Sequence, residues 1–185
     1  MTPDPPPPAL TWSFATPDDV PELVRLIRSA YRGEASRAGW TSEADLVEGE
    51  RTSEEAVRRL LDAPGSRVLL AREEADSAVA CCHVEDRGHG VASLGMFAVA
   101  PERQAAGVGR WLLAEAERAA AEVFAARRLE ISVLAPQAGL IAWYERRGFT
   151  RTGERRPFPA DARFARALRD DLEFIVMGKA IAGAL

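Results

Sequence analysis

The feature that most limits how this chain can fold is a change of apolar period at Pro101. Before it lie three short apolar runs, Arg67 to Arg72, Ala78 to Glu85 and Val91 to Val99, separated by charged or glycine-containing turns. That pattern predicts strands joined as antiparallel hairpins. After it, Leu112, Leu113, Ala116, Ala120, Val123 and Phe124 recur at helical spacing, and an alanine-rich composition favours the helix.

The flanking segments extend the same reading. Leu10 to Ala15 alternates like a strand, and Thr16-Pro17-Asp18-Asp19 supplies a hydroxyl cap, a first-turn proline and acids for a helix start. Leu23, Leu26, Ile27, Ala30 and Tyr31 then mark one apolar stripe, broken by Gly33. A polar stretch, Glu34 to Thr52, carries the isolated aromatic Trp40. A short helix over Ser53 to Asp62 ends at Pro64-Gly65. Leu129 to Leu134 reads as a strand and Leu140 to Arg147 as a helix whose left-handed cap is Gly148. Phe149 begins another strand, and Leu172 to Met177 is the last. Strands joined partly by tight turns and partly by helices imply an α/β (α+β) mixed sheet with helices on its faces.

A chain of 185 residues without internal repeats is expected to form one domain, over 10–185, behind a disordered proline-rich tail over 1–9. No apolar run approaches the ~20 residues of a membrane span, and the N-terminus lacks the pattern of a signal peptide. The expected compartment is cytoplasmic, with no membrane partner. A formal net charge of -4 gives no overall attraction to nucleic acid. Within the acidic chain, Arg146 to Arg169 is locally basic. It reads as a solvated or self-paired surface, with a nucleic-acid patch as the alternative. Cys81 and Cys82 are adjacent, so on a strand they face opposite ways and pack as core residues. Two histidines, His83 and His89, offer no metal cluster, and no metal is expected.

The chemistry concentrates where the period changes. Gln104-Ala105-Ala106-Gly107-Val108-Gly109-Arg110 links a strand to a long helix. A helix that begins in a glycine-bearing loop presents free backbone N–H groups and a positive dipole end, which suits a pyrophosphate. The same residues also make an ordinary tight turn. The neighbours separate the two readings. Gln104, Gly107 and Gly109 match the pattern Gln/Arg-x-x-Gly-x-Gly/Ala, Met96 to Pro101 forms the strand leading into it, and Ala142-Trp143-Tyr144-Glu145-Arg146-Arg147-Gly148-Phe149 closes a downstream helix on Gly-Phe. Together these resemble the coenzyme A loop and closing signature of the GNAT superfamily of N-acetyltransferases, over about Leu10 to Phe149.

The resemblance implies a mostly antiparallel sheet of about seven strands flanked by about four helices, splayed between the fourth and fifth strands. It implies acetyl-CoA as co-substrate and transfer to an amine of a small molecule, amino acid or peptide, by a monomer or homodimer. A non-catalytic acyl-CoA-binding regulatory module is the alternative. By the same carry-over, Phe97, Ala98 and Val99 hold the pantetheine arm. Gln104, Ala105, Ala106, Gly107, Val108, Gly109 and Arg110 hold the pyrophosphate, with Arg103 as a further phosphate partner or a solvated charge. Gln137 stands where the family often has asparagine. Tyr144 is the proton donor to the departing thiolate, a role many family members give to a tyrosine here, or else a packed tyrosine. Ser93 replaces a glutamate used as base by some relatives. Glu85, alone or with His83, is the substitute base, or else an edge carboxylate. The acceptor is expected between the first two helices, at Tyr31, Arg32, Glu34 and Trp40, with Glu43 and Asp45 as further carboxylates.

Overall fold

Thr16 starts the first helix. Its backbone N–H and hydroxyl both donate to the Asp19 carboxylate, at 2.7 and 3.0 Å. Burial would push the Asp19 carboxyl up, but the Thr16 hydrogen bonds and Arg72 outweigh it and hold the group below its ordinary value. Pro17–Asp19 forms one 3-10 turn before α1 (Val20–Tyr31). Ser53 caps α2 (Glu54–Asp62) by accepting from the Ala56 N–H at 3.1 Å. α3 spans Val108–Phe124 and α4 spans Ala138–Glu145. The structure is a computed structural model that describes residues 9–31, 43, 45–49, 51–73, 77–159 and 166–182.

The strands are β1 (Thr11–Phe14), β2 (Val47–Glu48), β3 (Ser66–Arg72), β4 (Ala78–Gly88), β5 (Val91–Val99), β6 (Arg128–Leu134), β7 (Thr150–Pro157), β8 (Arg166–Ala167) and β9 (Glu173–Ala180). Seven form one sheet in the order β1-β3-β4-β5-β6-β9-β7, while β2 and β8 pair separately. Every pair in the large sheet is antiparallel except β5 with β6. Among the described residues the chain forms the expected mixed, mostly antiparallel sheet of seven strands with four helices.

Alternation along the strands assigns the two layers. Leu69, Cys82, Val84, Leu129 and Met177 join Leu112, Leu113, Ala116 and Ile141 in one core, beneath α3 and α4. Val68, Leu70 and Cys81 face the other way and join Leu23, Ile27 and Val57 beneath α1 and α2. The adjacent cysteines thus serve opposite cores, and both are free thiols. The helical stripe of α3 departs from expectation at its end. Val123 is 40 % exposed, while Ala119 and Ala121 are buried. At this end of α3 the buried face follows Ala119, Ala120 and Ala121 and leaves Val123 outside it. The short β2–β8 ribbon was not foreseen: two residues are too few to show a period.

The β5–β6 pairing is short. Its register runs from Val91 opposite Arg128 to Leu94 opposite Ile131 and then stops. Beyond that point β5 bulges. Cys81 and His83 of β4 lie opposite Ala98 and Gly95, so three residues on β5 advance where β4 advances two, and Met96 adopts φ +46. A bulge bends its strand, and here it marks where β5 and β6 part. This is the expected splay.

Gly148 ends α4 with φ +90. Its N–H donates to the Glu145 carbonyl at 3.0 Å, and the Phe149 N–H reaches back to the Tyr144 carbonyl at 3.2 Å, the paired bonds of a left-handed helix stop. Gly148→Ala is expected to destabilise the protein by about 1–2 kcal/mol, the cost of a Cβ in that conformation. Equilibrium urea denaturation measures it, and an unchanged midpoint would show that packing, not this dihedral, fixes the helix end.

Candidate functional site

The parting of β5 from β6 exposes main chain inside the sheet. The Ala100 N–H donates to the Val79 carbonyl at 2.8 Å, so Ala100 faces β4 and the main-chain groups of Val99 face the gap. The Val99 carbonyl accepts from the Gln104 side-chain amide at 3.1 Å, and the Phe97 carbonyl accepts from the Tyr31 hydroxyl. These two side chains tie β5 to the following loop and to the end of α1.

The loop runs through a 3-10 turn, Pro101–Arg103, and four turn residues into α3. Gly107 is the N-cap at φ 81, makes no side-chain cap, and is followed by a first turn without acids. The dipole end therefore stays positive and the N-cap residue puts no side chain over its leading N–H groups, an arrangement that favours an anion. Ala105 also takes a left-handed φ, 67. Gly109 serves a different purpose. A Cβ there would lie 3.5 Å from Trp143 Cζ2, 3.7 Å from Val99 Cγ2 and 3.8 Å from Phe97 Cε1, so its bare Cα leaves space between three side chains.

α4 supplies the opposite wall. Leu140, Trp143, Tyr144 and Arg147 recur at helical spacing and line, with Tyr31, Phe97, Val99, Gln104–Gly107, Gly109 and Arg110, a cavity of about 540 Å³. The Tyr144 ring is buried and meets Trp143 at 4.9 Å, Phe149 at 5.4 Å and Phe97 at 6.4 Å between centroids, all edge to face. Burial, reinforced by the nearby Tyr31 and Cys82, pushes the Tyr144 phenol well above its ordinary value, against a smaller opposing effect of Arg147. It is a neutral hydroxyl at any physiological pH. Arg147 lays its guanidinium 3.6 Å from the Trp143 ring centroid and donates from Nη1 to the Trp143 carbonyl at 2.8 Å.

The structure brings most of the expected residues together. Phe97, Val99, Gln104, Ala105, Ala106, Gly107, Gly109, Arg110, Tyr31 and Tyr144 all line the one cavity. Others depart from it. Ala98 and Val108 bury their side chains in the two cores, because alternation on β5 and the helical face of α3 turn them away. Gln137 precedes α4, where its backbone carbonyl accepts from the Ile141 N–H at 3.0 Å, and it is not a lining residue. Arg103 reaches Glu73 at 2.6 Å and likewise does not line the cavity.

Glu85 is not brought to the cavity. It pairs across the sheet with Ser93, four residues along β5 from Phe97 (roughly 13 Å at strand spacing), and its carboxylate is held by Arg87 at 3.0 Å. His83 is buried against the Ser66 hydroxyl at 2.7 Å, and burial lowers its affinity for a proton despite Glu85. Glu43 is buried beside Arg51 at 3.7 Å, and Arg51 lies 5.1 Å over the Tyr31 ring. Arg32, Glu34 and Trp40 fall outside the described residues. The basic stretch after α4 is largely self-paired: Arg151 with Glu145, Arg155 with Glu173, Arg156 with Glu154, and Arg169 with Asp171.

Leu140, Trp143 and Arg147 were not anticipated as lining residues. Their signal was present: they share the helix face of Tyr144 at spacings of three and four.

Among the described residues no group of three or more His, Cys, Asp or Glu could hold a metal, and no helix is long and apolar enough to cross a membrane. The chain superposes on the ribosomal-protein-S18-alanine N-acetyltransferase from Escherichia coli with a TM-score of 0.69 at 20 % identity, over 96 % of this chain and 97 % of that one. For spermidine N-acetyltransferase from Vibrio cholerae, in complex with CoA and spermine, the TM-score is 0.67 at 16 % identity, over 93 % and 95 %. For a GNAT family acetyltransferase from Elizabethkingia anophelis with acetyl-CoA bound it is 0.59 at 19 % identity, over 70 % and 84 %. At such identities these likenesses speak to the fold. Compared with proteins of curated function, the sequence gives no match. The family model for acetyltransferases of the GNAT family matches residues 23–149, more than half of the chain and the whole of the cavity's lining. The splayed sheet, the glycine loop at the head of α3 and the aromatic face of α4 are thus parts of one family pattern, and the chain belongs to the GNAT acetyltransferases.

Proposed function

We propose that this acyltransferase moves an acetyl group from acetyl-CoA directly to the amine of a small molecule, amino acid or peptide. One observation carries the reading. A single cavity is lined by Phe97 and Val99, from the stretch of β5 that β6 leaves unpaired, by residues at the positive end of α3, and by Tyr144. The donor fits what the residues offer. Amides at the head of α3 suit a pyrophosphate. The stretch Phe97 to Val99 suits an amide-bearing arm that pairs like a strand, and the bare Cα of Gly109 leaves it room.

In the transfer, the acceptor nitrogen forms a bond to the thioester carbonyl carbon, and the carbon–sulfur bond breaks. A main-chain N–H near Phe97 or Val99 meets the oxyanion of the addition step. Tyr144 donates its proton to the departing sulfur. No carboxylate or imidazole of the described residues lines the cavity, so the acceptor's proton leaves through water in this scheme. The named activities of two structural relatives, on a protein alanine and on spermidine, both fall within amine acetylation. Tyr31, with Glu43 and Arg51 behind it, marks the acceptor side.

The test is thiol release from acetyl-CoA against a panel of amines, amino acids and peptides, beside calorimetry with CoA. Release that depends on an acceptor is the expected result. Tight CoA binding without release on any acceptor would point instead to a binding module, a reading in keeping with the lack of a carboxylate among the described residues that line the cavity.

A further inference from the structure

Arg147 is a cation without an obvious reason to be where it is. Its Nε is buried and has no hydrogen-bond partner among the described residues. One Nη is spent on the Trp143 carbonyl, and the plane is stacked on the Trp143 ring. Burial and two like charges, Arg146 and Arg110, weaken its hold on a proton. Arg147 and Arg110 line the same cavity, and Trp143, the platform under Arg147, also lies over Gly109 at the head of α3. Cations collected around a cavity repel one another unless an anion joins them.

Resting on the donor reading above, we propose that Arg147 binds a phosphate group of the coenzyme. With Arg110 it grips that group from the α4 side, opposite the N–H groups of α3. Trp143 holds the guanidinium in place, so little side-chain freedom is lost on binding. The phosphate is either the pyrophosphate or the 3′-phosphate of the coenzyme, and both present the oxygens that a guanidinium recognises.

The experiment compares CoA, 3′-dephospho-CoA and pantetheine, by calorimetry or competition, on wild type, Arg147→Met and Arg147→Lys. Methionine keeps an apolar stem on Trp143 and removes the charge. The expected result is a loss of CoA affinity of about 10–100-fold in Arg147→Met, the range for a charged hydrogen bond, with pantetheine unchanged. Lysine keeps the charge without the fork and should lose less. If the 3′-phosphate is the target, dephospho-CoA binds wild type and Arg147→Met alike; if the pyrophosphate is, dephospho-CoA weakens as CoA does. Unchanged CoA affinity, or an equal loss for pantetheine, would overturn the assignment. Should Arg147→Met fail to fold, an Arg147→Lys variant with wild-type affinity for all three would overturn it as well. Failure of wild type to bind CoA at all would instead overturn the donor reading together with this one.

Discussion

Replacing Tyr144 with phenylalanine is expected to slow acetyl transfer by about 10²-fold or more, with coenzyme affinity and thermal stability close to wild type. The ring is what packs: its edge-to-face contacts with Trp143, Phe149 and Phe97 survive in phenylalanine. Only the hydroxyl is lost, and the hydroxyl belongs to a cavity-lining residue. The departing group is a thiolate whose acid has a pKa near 8.5, while a tyrosine starts near 10. Protonation by Tyr144 is therefore somewhat uphill even onto the free thiolate, and it helps only late, when the carbon–sulfur bond is largely broken and charge has built up on sulfur. Because burial raises the phenol further, Tyr144 stays protonated as pH climbs. The active form is the neutral one, so wild type should keep its kcat through about pH 10, with no alkaline loss from this group. Single-turnover rates across that range are the measurement. A Tyr144→Phe rate equal to wild type would assign the residue to packing.

Gly109→Leu is expected to lower coenzyme affinity by about 10–100-fold, the range for overfilling a packed site, while thermal stability holds or rises. The two effects have separate origins. Leucine is a better helix former than glycine by close to 1 kcal/mol, and position 109 lies in the first turn of α3 without a positive φ. A Cβ alone would sit in ordinary contact with Trp143, Val99 and Phe97. The remaining carbons of leucine must then project into the cavity. Calorimetry with CoA and a melting curve on the same variant separate these effects. Full affinity in Gly109→Leu would mean that the coenzyme does not pass over α3 at this point, and the donor site would need to be moved.

The sheet and helices were largely legible because each rests on a repeated signal. The period-two runs of β3 to β5 and the caps at Thr16, Ser53 and Gly148 are local, and local chemistry is what a sequence displays. The loop from Gln104 to Arg110 was legible as a unit for the same reason. What was not legible depends on where one element meets another. Glu85 and Tyr144 are both plausible acid–base residues by type. The register of β4 on β5 sets Glu85 opposite Ser93 and beside Arg87, away from the cavity, whereas the packing of α4 brings Tyr144 into its lining. Gln104 reads as a phosphate ligand in the motif, yet its amide is tied to Val99. In the sequence Arg147 is only the second of two adjacent arginines before Gly148. Its stack on Trp143 and its place beside Arg110 are tertiary facts. Val123 lies outside the buried face because the side that α3 turns inward is settled by its packing on the sheet, and not by period alone.

A strand edge left open on the outside of a sheet invites another polypeptide to pair with it, and proteins usually blunt such edges with charge or bulges. In this chain the stretch of β5 that β6 abandons lies between strands, under the aromatic face of α4. A peptide strand entering there would need a full spacing of about 4.8 Å and room for side chains above and below. A slender amide chain pairs at the same spacing but needs no room for side chains. Placed between strands, main-chain groups of the kind that would drive aggregation at a surface edge instead favour a ligand without side chains over a second polypeptide.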